Sequence, residues 1–167
     1  VEIEFLYDAK QNISKKIFQF YNTNEILLPI KDTLLYYYDA NGNITKETAI
    51  TSLNGVRREY ILLEAEAYDN KISFYRSLGI EFNLLYRFNR SGEGTYNLGE
   101  YIFGLCANNP GKVYLHNQGP DDNNKGDYFT YTYEYGTGNY PSKILKTYTT
   151  PSGTGTGPDV SFQYECK

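Results

Sequence analysis

The chain has 167 residues, a formal net charge of −4 and a mean hydropathy of −0.58. That length suits one domain with a core of its own and no need of disulfide staples. The charge excludes a nucleic-acid binder that works through excess positive charge, and the lack of a long apolar run excludes a transmembrane helix. One His and two Cys leave little for a metal cage or a Cys/His nucleophile, whereas 19 Tyr and 9 Phe make 17% of the residues, with no Trp. The chain opens at Val1 and contains no Met, which reads as a processed or truncated piece of a longer protein whose signal peptide has been removed.

Taken in order, the segments read as strands. Ile3, Phe5 and Tyr7 alternate with Glu2, Glu4 and Leu6, the period of a half-buried strand. Leu34 to Tyr38 is aromatic and β-prone, Asn41-Gly42 follows, and Ile44 to Thr51 alternates again; Asn-Gly predicts a type I′ hairpin turn. Val56 to Ala67 has fair helix propensity, but as a strand it places Ile61, Leu63, Ala65 and Ala67 on one face. Its strand-like neighbours and the turn residues Tyr68-Asp69-Asn70 favour the strand. Ser73 to Leu78 reads as a short helix ended by Gly79. Phe129 to Tyr135 and Val160 to Cys166 alternate cleanly, and the Gly-, Asn-, Asp-, Ser- and Pro-rich stretches 89–94, 117–127 and 150–158 read as exposed loops. Pro151 to Pro158 is expected to be the flexible tip of a long hairpin.

A weak repeat runs through this pattern. Tyr7-Asp8-Ala9-Lys10-Gln11-Asn12-Ile13-Ser14-Lys15 matches Tyr38-Asp39-Ala40-Asn41-Gly42-Asn43-Ile44-Thr45-Lys46 at an offset of 31 residues. A poorer copy spans Tyr135 to Lys143, and Tyr68-Asp69 marks a degraded one. In the three fuller copies an aromatic residue (Phe5, Tyr36, Tyr133) precedes the Tyr by two, and a Lys follows it by eight. The repeat reads as a β-hairpin whose aromatic pair lies on the inner face of the incoming strand. One hairpin cannot bury that face alone, so several in succession imply an antiparallel meander. The expected fold is therefore all-β: an antiparallel meander of hairpins forming a single barrel or strongly curved half-barrel, one domain over 1–167.

These units resemble envelope lipoproteins of gut-dwelling Gram-negative bacteria, a domain-of-unknown-function family with a porin-like fold. The resemblance is carried by the Tyr-Asp-x-x-Gly-Asn-Ile-x-Lys units and by Ala67-Tyr68-Asp69-Asn70-Lys71 with Phe74 and Leu78-Gly79. Asn108-Asn109-Pro110, Tyr133-Glu134-Tyr135 with Tyr140 to Ile144, and Tyr164-Glu165-Cys166 add to it. It implies a β-barrel-like fold and a cell-envelope location, with a lipid anchor outside this segment as the only membrane contact, and it transfers no catalytic residue. The units also resemble, less closely, the tyrosine-aspartate repeats of large bacterial surface and toxin-shell proteins. A lipid-facing barrel is disfavoured by Lys16, Glu47, Arg57, Glu59, Lys146 and Glu165, charged residues expected on the polar faces.

The chemistry-bearing candidates are few. Tyr36, Tyr38, Tyr133 and Tyr135 form a row suited to stacking on a glycan, since Tyr joins a flat apolar face to a hydroxyl; the same row also reads as core. Glu64 and Glu66, two apart on a strand, fit the carboxylate pair of a glycoside-processing enzyme or ordinary solvent-facing residues. His116 beside Asn117 reads as a surface residue at a loop mouth. Asp121, Asp122 and Asp127 are candidate ligands of calcium in an irregular loop, though Lys125 and Thr132 break the EF-hand register. Cys106 and Cys166 permit a disulfide in an exported protein, or serve as two small buried hydrophobes. No cofactor other than calcium is suggested. The functional expectation is a non-enzymatic domain that binds or scaffolds. Its partner is a glycan or another envelope protein, never nucleic acid; a structural surface module and the glycoside-processing enzyme are the alternatives.

Overall fold

The computed structural model describes residues 2–53, 56–73, 102–116, 125–157 and 160–161. The strands are β1 (Glu2–Tyr7), β2 (Ile13–Tyr21), β3 (Leu27–Tyr38), β4 (Ile44–Leu53), β5 (Val56–Glu66), β6 (Lys112–His116), β7 (Lys125–Tyr135), β8 (Pro141–Thr150), β9 (Gly153–Thr156) and β10 (Val160–Ser161). One sheet holds them in the order β1-β2-β3-β4-β5-β6-β7-β8-β10, all antiparallel, with β9 also hydrogen-bonded to β8. The fold is thus an all-β antiparallel meander. Among the described residues the sheet is open, with β1 at one edge.

Cross-strand pairs trace one face through the sheet: Phe5–Lys16, Lys16–Leu34, Leu34–Ala49, Glu47–Leu63, Ala65–Val113, Val113–Phe129 and Phe129–Tyr148. The core lies there, as a single cluster that includes Phe18, Leu34, Tyr36, Ile44, Leu63, Val113, Phe129, Tyr131 and Ile144. The opposite face pairs Lys46 with Glu64, Glu66 with Lys112 and Tyr114 with Tyr128. The strand period of two creates this division: residues two apart share a face, and the register carries it across the sheet.

The structure corrects several expectations. Lys16, Glu47 and Lys146 are on the core face, because each lies two residues from Phe18, Ala49 or Ile144, and Lys16 and Glu47 are almost fully buried. Lys16 Nζ sits 4.9 Å from the centroid of the Phe18 ring, and Lys146 Nζ 4.1 Å from that of Phe129. The Asn41-Gly42 hairpin is not type I′. Only Gly42 has a positive φ, and its N–H bonds to Asp39 O, so a type I turn ends in a left-handed fourth residue. Gly153 to Thr156 is strand β9, paired with β8 from Thr147↔Thr156 to Thr150↔Gly153, not part of a flexible tip. β7 starts at Lys125, so the loop predicted over 117–127 ends sooner. The helix predicted over 73–78 lies outside the described residues except for Ser73, whose N–H bonds to Ala107 O.

Candidate functional site

The repeat builds one end of the sheet. In the β1–β2 turn the Asp8 carboxylate accepts the N–H groups of Lys10 and Asn12, each at 2.8 Å, and Asn12 Nδ2 at 3.0 Å. These bonds hold the Asp8 carboxyl below the usual carboxylate range. The β3–β4 turn repeats the pattern with Asp39, Asn41 and Asn43 at 2.9, 2.8 and 3.2 Å. In both, the Asp N–H bonds to the Asn carbonyl at 2.8 Å, and the fourth residue, Gln11 or Gly42, has a positive φ. Asx chemistry explains the residue choice, because a short carboxylate can reach backbone N–H groups two and four residues on.

Asp69 makes the same set of bonds with a partner far along the chain. Its carboxylate accepts Lys71 N–H, Asn109 N–H and Asn109 Nδ2, and its own N–H bonds to Asn109 O. Asn109 therefore stands where Asn12 and Asn43 stand, but 40 residues after its Asp instead of four. The turn between β5 and β6 is completed around an insertion of 36 residues. Its base is a short antiparallel pairing, Ile72↔Asn108, fixed to the neighbouring turn by Asn108 N–H to Asn43 Oδ1 and Asn43 Nδ2 to Asn108 Oδ1. The insertion also restores the repeat. Tyr68 and Tyr135 are 67 residues apart, and removing 36 leaves 31, against 31 and 30 for the earlier intervals.

Tyrosines tie each hairpin to the one before it. Tyr38 donates its hydroxyl to Ile13 O at 2.9 Å, and Tyr68 donates to Ile44 O. Tyr133 donates to Pro110 O at 2.8 Å, and Tyr135 donates to the Asp69 carboxylate while accepting from Asn109 Nδ2. Ile13, Ile44 and Pro110 each directly follow the Asn of an Asx turn, so one kind of carbonyl is capped three times. Burial raises the Tyr68 and Tyr135 hydroxyls above their ordinary pKa, and the Asp69 carboxylate raises Tyr135 further.

Of the four tyrosines singled out in the sequence, Tyr38, Tyr133 and Tyr135 belong to these ties. Tyr36 is buried, and burial together with the Glu47 carboxylate raises its hydroxyl well above the usual value. Tyr36, Tyr38 and Tyr133 pack in or against the core, and the Tyr135 ring stacks on that of Tyr133 at 6.1 Å. Glu47 also partly offsets the effect of burial on Lys16, whose pKa is lowered to about 8. Asp127 accepts the Tyr148 hydroxyl; Asp121 and Asp122 lie outside the described residues, among which no acidic or His/Cys cluster could hold a metal ion. Cys106 is buried with Sγ 3.5 Å from the Tyr68 hydroxyl, and Cys166 is outside the described residues.

Glu64 and Glu66 do share the face opposite the core, with different partners. Glu64 Oε2 is 3.0 Å from His116 Nε2. Glu66 accepts the Tyr114 hydroxyl at 3.0 Å and faces Lys112 Nζ at 4.0 Å. His116 is buried, not a surface residue; it lies two residues along β6 from Tyr114, which the β5–β6 register pairs with Glu64. Next to this pair the Tyr114 and Tyr128 rings lie 5.6 Å apart, both half-exposed, with Lys112 Nζ 4.5 and 4.3 Å from their centroids. Sequence reasoning missed this strip. Tyr114 and Tyr128 meet only through the β6–β7 register, which depends on a connection that no pattern fixes. It also missed the β2–β3 turn at the other end, where Asn22 accepts the N–H groups of Asn24 and Ile26 just as Asp8 does. The signal was present: Tyr21-Asn22 is the repeat's opening pair with Asn for Asp.

No family model matches the chain, and no curated protein matches its sequence. Among solved structures it is similar to a porin-like protein from Bacteroides uniformis, at 8% identity and a TM-score of 0.44. That likeness covers 94% of this chain and 56% of the other, so the chain spans just over half the length of the protein it resembles.

Proposed function

We propose that the protein is a non-catalytic binding domain of the bacterial cell envelope, and that its ligand is a glycan held on the strip formed by Tyr114, Tyr128, Lys112 and Glu66. The observation that carries this reading is the half-exposed pair of tyrosine rings, 5.6 Å apart, beside a cation and a carboxylate on the sheet face away from the core. Tyrosine rings offer a face to the C–H side of a sugar, while Lys112 and Glu66 supply a donor and an acceptor for its hydroxyls. Tyr36, Tyr38, Tyr133 and Tyr135 suit a binding role less well, because their hydroxyls serve the fold. The envelope assignment rests on the resemblance of the hairpin units. A lipid-facing barrel remains disfavoured, although on different residues, since Lys46, Glu64, Glu66 and Lys112 occupy the face away from the core.

A thermal-shift screen against soluble polysaccharides and oligosaccharides, with and without calcium, tests the reading. A ligand at 100 times its dissociation constant should stabilise by about 2.7 kcal/mol. The shift should disappear in Tyr114→Ala and Tyr128→Ala and persist in Tyr38→Phe. If no glycan class shifts the melt, or the shift survives both alanine variants, the reading is lost.

A further inference from the structure

The tyrosine strip does not end at β7. Residues registered opposite one another continue it across the neighbouring strands in two rows. One row runs from Tyr114 through Tyr128 and Thr149 to Thr154, and the other from Lys112 through Thr130 and Thr147 to Thr156. Tyr148, between two of these threonines, packs against the core, so Thr147 and Thr149 take the opposite face. Thr130, Thr147 and Thr149 are half-buried, and Thr154 and Thr156 are exposed.

Strand propensity favours Thr on a solvent-facing strand, yet elsewhere on this face the same positions carry Lys46, Glu64, Glu66 and Lys112. The hydroxyls are also uncommitted to the fold. Thr45 and Thr150 donate theirs to Tyr37 O and Gly153 O. Among the described residues those of Thr130, Thr147 and Thr156 meet no partner, and Thr149 and Thr154 pair with each other at 3.2 Å. The rows are about 7 Å apart along the strands but reach about 14 Å from β6 to β9, so the patch is longer across the strands than along them.

We infer that the ligand is a neutral, linear glycan lying across the strands, with one sugar ring on the Tyr114 and Tyr128 pair and the next rings over the threonines of β8 and β9. This rests on the glycan reading above and adds the ligand's shape, length and charge. The patch is as long as roughly three sugar rings end to end. Each Thr offers a hydroxyl that both donates and accepts, beside a methyl group for the C–H side of a ring. The charges of the strip are already matched, Lys112 with Glu66 at 4.0 Å and His116 with Glu64 at 3.0 Å, and the rows on β7 to β9 add none. A carboxylated or sulfated sugar therefore gains nothing over a neutral one.

Isothermal titration of the whole protein tests this with cello-, xylo-, laminari- and manno-oligosaccharides from disaccharide to hexasaccharide, and with oligogalacturonides as the acidic counterpart. One neutral series should tighten from the disaccharide to the trisaccharide or tetrasaccharide and then level off, and oligogalacturonides of equal length should bind no better. Thr147→Val and Thr156→Val keep the side-chain shape and remove a hydroxyl. Each should weaken the tetrasaccharide about fivefold, the effect of one net hydrogen bond, and leave both the disaccharide affinity and the melting temperature of the free protein unchanged. Binding that gains nothing beyond the disaccharide, or that ignores both valine variants, overturns the extended footprint while the tyrosine strip stands. Tighter binding of oligogalacturonides overturns the neutral ligand in the same way. If no series binds, or binding survives both Tyr114→Ala and Tyr128→Ala, the strip itself fails and the inference falls with it.

Discussion

At the scale of single residues, the turn aspartates carry more of the fold than their exposure suggests. Asp39 accepts three hydrogen bonds from within five residues, so Asp39→Ala should cost about 1–2 kcal/mol in a denaturant titration. Asp39→Asn should cost clearly less, since Asn22 already fills that role in the β2–β3 turn. Lys16 makes a separate prediction. Its folded pKa of about 8 lies below the unfolded 10.5, so between those values the unfolded chain binds more protons, and stability rises with pH. The raised tyrosine pKa values act the other way above about pH 10, where the unfolded phenols ionise first. Denaturation midpoints should therefore climb between pH 7.5 and 9.5, and Lys16→Met should flatten the climb. A flat profile in the native chain would show that Lys16 keeps an ordinary pKa. The setting of Lys16 was not legible in the sequence. Period-2 reading puts Lys16 beside Phe18 on one face, but residue type argued for the polar side, and tertiary packing overrode it.

At the scale of elements, the strands and hairpin ends were largely readable, because Tyr-Asp-x-x-x-Asn specifies a turn by local bonding. Val56 to Glu66 also reads correctly as a strand despite its helix-forming residues, since its neighbours decide the matter. The β5–β6 turn could not be read. Its Asn lies 40 residues away, and nothing local announces that Asn109 completes what Asp69 begins. If 36 of the residues between Asp69 and Asn109 are an insertion in a hairpin, most of it should be removable. Replacing 75–104 with Asn-Gly keeps the Ile72↔Asn108 bridge and the Ser73–Ala107 bond. The shortened chain should give a β-type circular dichroism spectrum and a cooperative melt, and loop closure alone would favour it by roughly 1 kcal/mol. Loss of cooperative unfolding would mean that the segment is integral to the core. Gly111 marks the same junction: a Cβ there would lie 2.4 Å from Ala67 O, so Gly111→Ala should destabilise sharply, by about 2 kcal/mol or more.

At the scale of the whole molecule, a repeat of about 31 residues organises the sheet, and each hairpin leans on its predecessor. The sequence showed the architecture because the period recurs. It concealed the Tyr114–Tyr128 strip because that strip exists only where two hairpins meet. The interrupted turn also bears on how the chain acquires its structure. Closing a loop ten times longer than that of Asp39–Asn43 costs about 2 kcal/mol more in chain entropy, so the Asp69–Asn109 clasp should form late. The β1–β5 meander, with only short connections, can assemble first and present Tyr68 and Asp69 as a template. The β6–β8 half would then add to that template in a slower step. In stopped-flow refolding, the shortened chain should lose or accelerate this step, leaving the rate of the first half unchanged.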